Sequence, residues 1–116
     1  MALHIILVRI NPLAPTKAPA TMSTLSEDEK SKYLKELFEF LKLPSVSADS
    51  KFSDYMNTTA NWLSNELLKS GCDSSNVYET DGHPIVYGEK IVNPSYPTIL
   101  VYGHYDAVSY THLTLP

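Results

Sequence analysis

The sequence predicts an α/β fold: two N-terminal helices, then the strands of a mixed sheet. Three observations carry this. Residues 26–42 and 52–70 place apolar side chains at helical spacing; from residue 76 the period changes to alternation; and Thr98–Tyr102 is a continuous apolar run that stops at Gly103-His104-Tyr105-Asp106. Helix, helix, strand, strand, strand is the order in which an α/β domain opens, and the elements that would complete such a domain do not follow.

The first helix starts at Ser26-Glu27-Asp28-Glu29, the S-x-x-E form of a capping box with acids in the first turn. Tyr33, Leu34, Leu37, Phe38 and Leu41 then share one face and are expected in the core. Pro44 ends the helix near Lys42, because a residue before proline is pushed out of helical geometry. Residues 45–49 form a loop. A second helix takes Phe52, Tyr55, Met56, Thr59, Ala60, Leu63 and Leu67 on one face, with Gly71 as its stop. Strands are expected over 76–80 and 85–91, separated by the turn signal Asp81-Gly82-His83-Pro84. Pro94 and Pro97 bracket a loop, and 98–102 has the pattern of a strand buried on both faces.

The two ends read differently. Residues 1–21 are apolar and then rich in proline and alanine, and are expected as a tail. One reading is a signal peptide, with Ile5–Val8 in its apolar region and Ala18-Pro19-Ala20 as a cleavage site; Arg9 and the absence of an earlier basic residue oppose it. The other is an upstream extension, with translation starting at Met22. Residues 108–116 resemble a frame translation of the transposase mosaic-end adaptor used in short-read libraries, which would place the junction within the Ala107 codon. On that reading His112 carries no function.

Charge and composition exclude several functions. The 116 residues hold 9 basic and 13 acidic side chains, and both basic residues of the first 21 (Arg9, Lys17) lie among no acids. The remainder is therefore strongly acidic and has no electrostatic footprint for nucleic acid. No apolar run approaches the roughly 20 residues that span a bilayer. One cysteine, Cys72, excludes a disulfide framework and any CxxC motif, which points to a reducing, cytoplasmic setting.

The chemistry concentrates at the end of the last strand, where ligand sites gather in open α/β sheets. His104 and Asp106 are two apart and so point to one side of an extended segment, within reach of each other. Such a pair either orients an imidazole for a metal, with Asp accepting from Nδ1–H and Nε2 left for the ion, or polarises a Ser or Cys nucleophile. Its plainest use is a strand-end hydrogen bond. Gly103 permits close approach of a ligand. His83 reads as a turn residue, Glu79, Asp81 and Glu89 as a solvated acidic face, and Cys72 as a semi-buried small residue; His4 belongs to the tail.

Three blocks narrow these alternatives: Phe40–Ser47 (FLKLPSVS), Thr80–Glu89 (TDGHPIVYGE) and Leu100–Asp106 (LVYGHYD). In this order they resemble the N-terminal region of the zinc-dependent dipeptidase and carboxypeptidase family, which includes carnosinase-like dipeptidases, aminoacylases and succinyl-diaminopimelate desuccinylases. The resemblance runs from about Leu25 to Asp106, within an expected catalytic-domain segment 22–107. The family continues as valine and then Gln-Pro, a pattern from which Ala107-Val108 departs where the adaptor-like stretch begins.

The resemblance implies that His104 is a ligand of one of two zinc ions and that Asp106 is the catalytic aspartate orienting it. The other family site residues (a bridging aspartate, a Glu-Glu pair, a further acidic ligand and a C-terminal histidine) would lie beyond residue 106, as would the lid and dimerisation domain. It implies a homodimeric parent that hydrolyses dipeptides or N-acyl amino acids, with zinc-bound hydroxide attacking the carbonyl and a glutamate as base. The chain alone is expected to be inactive, since a catalytic zinc takes three protein ligands. The rival expectations are a small non-catalytic α/β interaction module and an N-acyl amino acid deacylase of the same family.

Overall fold

The structure is a computed structural model that describes residues 5–11 and 25–108. The elements are β1 (Ile5–Asn11), α1 (Glu27–Leu41), α2 (Ser53–Lys69), β2 (Ser74–Tyr78), β3 (Ile85–Ile91) and β4 (Ile99–His104), with one 3-10 turn at Ser50–Phe52 before α2. The fold is α/β, with a mixed four-stranded sheet in the order β2-β3-β1-β4. β1 runs parallel to β3 and antiparallel to β4, and β2 is antiparallel to β3.

A strand therefore precedes the two helices. Part of the segment expected as a tail, residues 5–11, lies between β3 and β4. The run IILVRIN is rich in β-branched residues, and in the sheet it finds two partner strands. Arg9, which breaks the apolar run, sits in register with Glu89 and makes a 3.5 Å ion pair with it. Asn11 ends the strand and is 1 % exposed. Its Nδ2 donates to the Tyr96 carbonyl at 2.6 Å and its Oδ1 accepts from Asn93 N at 2.9 Å, which pins the loop leading into β4. The Ala18-Pro19-Ala20 and Met22 alternatives, His4, and residues 109–116 with His112 lie outside the described residues.

α1 begins and ends where its signals place it, and α2 ends at its stop glycine, while the start of α2 carries no side-chain cap. Ser26 accepts from Glu29 N, and the Glu29 carboxylate accepts from Ser26 N, closing the capping box. α2 ends in a Schellman arrangement: Gly71 adopts φ +100°, Gly71 N donates to Leu68 O, and Cys72 N donates to Leu67 O. α2 packs on β2 and β3, where Met56 and Ala60 join Val86 and Tyr105 in the buried core, flanked by Ile6, Phe40, Leu63, Leu67 and Val77. Gly88 allows the closest approach. A Cβ there would lie 2.8 Å from Leu67 Cδ1, so the end of the Leu67 side chain would have to turn aside for a larger residue.

Two burial expectations are corrected. α1 has no buried residue: Leu34, Leu37, Phe38 and Leu41 are exposed, and its docking rests on Phe40 stacked against Trp62 at 5.7 Å. β4 is not buried on both faces. Ile99, Leu100, Val101 and Tyr102 are all exposed, because β4 is an edge strand and α2 packs on β2 and β3 at the far end of the sheet. Continuity of apolar residues reports the burial a strand can use, not what covers it. β2 also starts earlier than the alternation suggested, at Ser74, where Ser75 Oγ meets Ser64 Oγ of α2 at 2.8 Å.

Two measurements test this arrangement. Among the described residues β4 presents an unpaired edge with no Lys, Arg, Asp, Glu or proline, so sedimentation is expected to show mass rising with concentration. Val101→Lys should suppress that rise; equal association by the variant would exclude the β4 edge as its cause. The second concerns Tyr105, which is 2 % exposed and whose phenol burial pushes up to about 12 from its ordinary 10. Between those values an unfolded chain releases the proton and the native chain keeps it, so stability falls as pH rises through that window. Phenolate absorbance should show a late-titrating tyrosine that Tyr105→Phe removes.

Candidate functional site

Three segments converge at the C-terminal end of β4. Tyr105 turns into the core, and its hydroxyl donates to the Pro84 carbonyl in the turn before β3. Its own carbonyl accepts from Ser45 Oγ at 2.9 Å, and Ala107 N donates to Ser45 O at 2.8 Å, next to a parallel bridge between Val46 and Ala107. The loop after α1 is thus laced to residues 105–107. The turn before β3 joins from the other side: His83 Nε2 donates to the Ser47 carbonyl at 2.9 Å, because a carbonyl can only accept. That turn is held by Thr80, whose hydroxyl accepts from Gly82 N and donates to His83 O.

His104 is the last residue of β4 and Asp106 lies two beyond it. Their side chains face each other as expected, with Nδ1 and Oδ1 3.8 Å apart. That is an ion-pair distance, longer than a hydrogen bond. The Asp106 carboxylate is the less exposed partner, at 21 % against 53 % for the imidazole. Its Oδ2 accepts from Ser47 Oγ at 2.8 Å. On the other side of the imidazole, Nε2 lies 2.8 Å from the Tyr102 hydroxyl, with the rings edge-to-face. With the proton on Nδ1, facing Asp106, Nε2 accepts from the Tyr102 hydroxyl.

Ser47 and Tyr102 are the functional neighbours that sequence reasoning did not single out. Tyr102 is two residues before His104 on the same strand, so its place on the same face was available from strand periodicity. Ser47 is 59 residues from Asp106 and had no such signal. His83, taken as a turn residue, does sit in the turn, and it also reaches the Ser47 backbone. Cys72 is half-buried, and burial, with Asp73 beside it, pushes its thiol up, away from the thiolate a nucleophile needs.

Among the described residues no three His, Cys, Asp or Glu side chains come together as a metal-binding group. His104 and Asp106 supply one imidazole and one orienting carboxylate, short of the three protein ligands of a catalytic zinc, so these residues do not by themselves fit a complete metal site. Glu79, Asp81 and Glu89 do not join them in such a group. No helix among the described residues is long and apolar enough to cross a membrane.

No family model matches the chain, and no solved structure matches it. Among curated proteins, the Cys-Gly metallodipeptidase DUG1 of Candida albicans is 32 % identical over 92 residues, covering 69 % of this chain. The chain spans about a fifth, 19 %, of that relative's length. The likeness supports a metallodipeptidase-like family.

Proposed function

We propose that this chain is the N-terminal part of a dinuclear zinc dipeptidase and that His104 and Asp106 are its contribution to the site, His104 as a metal ligand and Asp106 as the carboxylate that orients it. One observation carries the reading. The three sequence blocks that carry the family resemblance lie far apart in the chain, yet they meet at one point through the Ser47–Asp106, His83–Ser47 and Tyr105–Pro84 hydrogen bonds. The 32 % likeness to a Cys-Gly metallodipeptidase supports the same reading. The substrate would be a dipeptide or a related N-acyl amino acid, and the parent would be a cytoplasmic homodimer.

The remaining ligands and the general base would come from chain beyond residue 108. What these residues do themselves is narrower. Asp106, 21 % exposed, places a carboxylate oxygen beside Nδ1 and so favours the tautomer that leaves Nε2 as an acceptor.

The gene, sequenced from source DNA through the Asp106 codon without a transposase library, is expected to continue with Val and Gln-Pro and then to encode an aspartate and a Glu-Glu pair. A gene that encodes Val108–Pro116 and stops would overturn the reading in favour of a non-catalytic module. For the 116-residue chain, calorimetry with zinc is expected to show no sub-micromolar binding and no dipeptide hydrolysis should be measurable. Tight binding of one or two ions by this chain would contradict the incompleteness of its site.

A further inference from the structure

We propose that Ser47 is the positioning residue of the His104–Asp106 pair. This deepens the reading above and rests on that pair being the functional one. A carboxylate has two oxygens and a soft terminal torsion, so a donor fixed on one oxygen decides where the other points. Ser47 Oγ donates to Oδ2 at 2.8 Å, and Oδ1 is the oxygen that faces His104 Nδ1 at 3.8 Å.

The serine can do this because its own backbone is held on both sides. His83 Nε2 donates to the Ser47 carbonyl. Immediately before it, Val46 bridges Ala107 and Ser45 bonds the backbone of both Tyr105 and Ala107. Ser45 and Val46 are buried, at 3 % and 8 % exposure. The hydroxyl is therefore presented from a segment that cannot shift without breaking bonds to the same residues that carry Asp106. Its effect on His104 passes through Asp106, so Ser47 acts by positioning the pair. Partners of this kind commonly change the affinity or activity of the group they orient by about 10–100-fold.

The test uses nuclear magnetic resonance of the chain at a concentration where it is monomeric. In the unmodified chain the Asp106 Hα–Hβ couplings are expected to report a single rotamer, and the His104 ring nitrogens a proton held on Nδ1. Ser47→Ala should average the Asp106 couplings and move the His104 tautomer toward Nε2–H, while Ser47→Thr, which keeps the hydroxyl, should retain both signatures. A general loss of structure would move neither signature selectively and would not be rescued by threonine.

Averaged Asp106 couplings in the unmodified chain would overturn the proposal without any variant. So would a folded Ser47→Ala chain with unchanged couplings. If Ser47→Ala does not fold, Ser47→Cys, close in size and a weak donor, gives the same comparison. Failure of the dipeptidase reading is separate. It would be seen in the gene sequence beyond Asp106 and would leave the couplings untouched.

Discussion

The burial of Tyr105 is the constraint on which the rest of this structure depends. Its ring completes the core formed by Met56, Ala60 and Val86, and its hydroxyl satisfies the Pro84 carbonyl, so the phenol enters the interior without an unpaired polar group. Because His104 and Asp106 flank it, their side chains must leave the backbone on the side away from the core. The same anchor fixes the backbone that Ser45 grips through Tyr105 O and Ala107 N. A buried residue between an exposed His104 and a partly buried Asp106 converts packing energy into the direction of both side chains. Fully burying a side chain of this size is worth about 1.5–3 kcal/mol, more than any one of the surface contacts around the site.

The uncovered surfaces are the counterpart of that small core. α1 is held by its capping box and by exposed ion pairs such as Lys30–Glu27 and Lys42–Glu39, which water and salt screen. A 15-residue helix is marginal in water on those terms alone. Its face carries Leu34, Leu37, Phe38 and Leu41, whose burial would outweigh the caps and ion pairs together, and within the described residues that stabilisation is not collected. β4 is in the same position: apolar on both faces, paired along one edge only. Pattern and environment disagree at these two elements, and they agree at α2, where Met56, Thr59 and Ala60 are fully buried.

That difference explains which parts of the fold were legible in the sequence. Local chemistry was. Ser26 with Glu29 placed the start of α1, Pro44 its end, and Gly71 the end of α2, because caps and breakers act within a few residues. β3 was legible for a similar reason, lying between a turn signal and a proline-bracketed loop. β1 was not: residues 5–11 fell in a segment read as a tail or signal peptide, and its partner strands, with the Arg9–Glu89 pairing 80 positions away, lie far along the chain. The exposure of α1 and β4 was not legible either, since periodicity identifies an apolar face without naming its cover. In the site, the 104–106 spacing correctly put His104 opposite Asp106, while Ser47 reaches Asp106 only through the tertiary lacing of the loop after α1.

The two hydrogen bonds that flank the pair differ in kind, and the difference bears on what the site can do. Tyr102 and His104 are both about half exposed, so water competes for each of their polar atoms, and their mutual hydrogen bond is worth at most about 0.5–1.5 kcal/mol net. A stronger ligand arriving at Nε2 displaces the phenol at small cost. The Ser47–Asp106 bond is charge-assisted and lies in a more enclosed place, where the lower local dielectric strengthens it. The carboxylate is thus held firmly by Ser47, while the imidazole faces it across 3.8 Å and meets the Tyr102 hydroxyl at 2.8 Å on its other side. An orienting carboxylate requires such a fixed oxygen: Oδ1 stays in place beside Nδ1 while Nε2 changes partner.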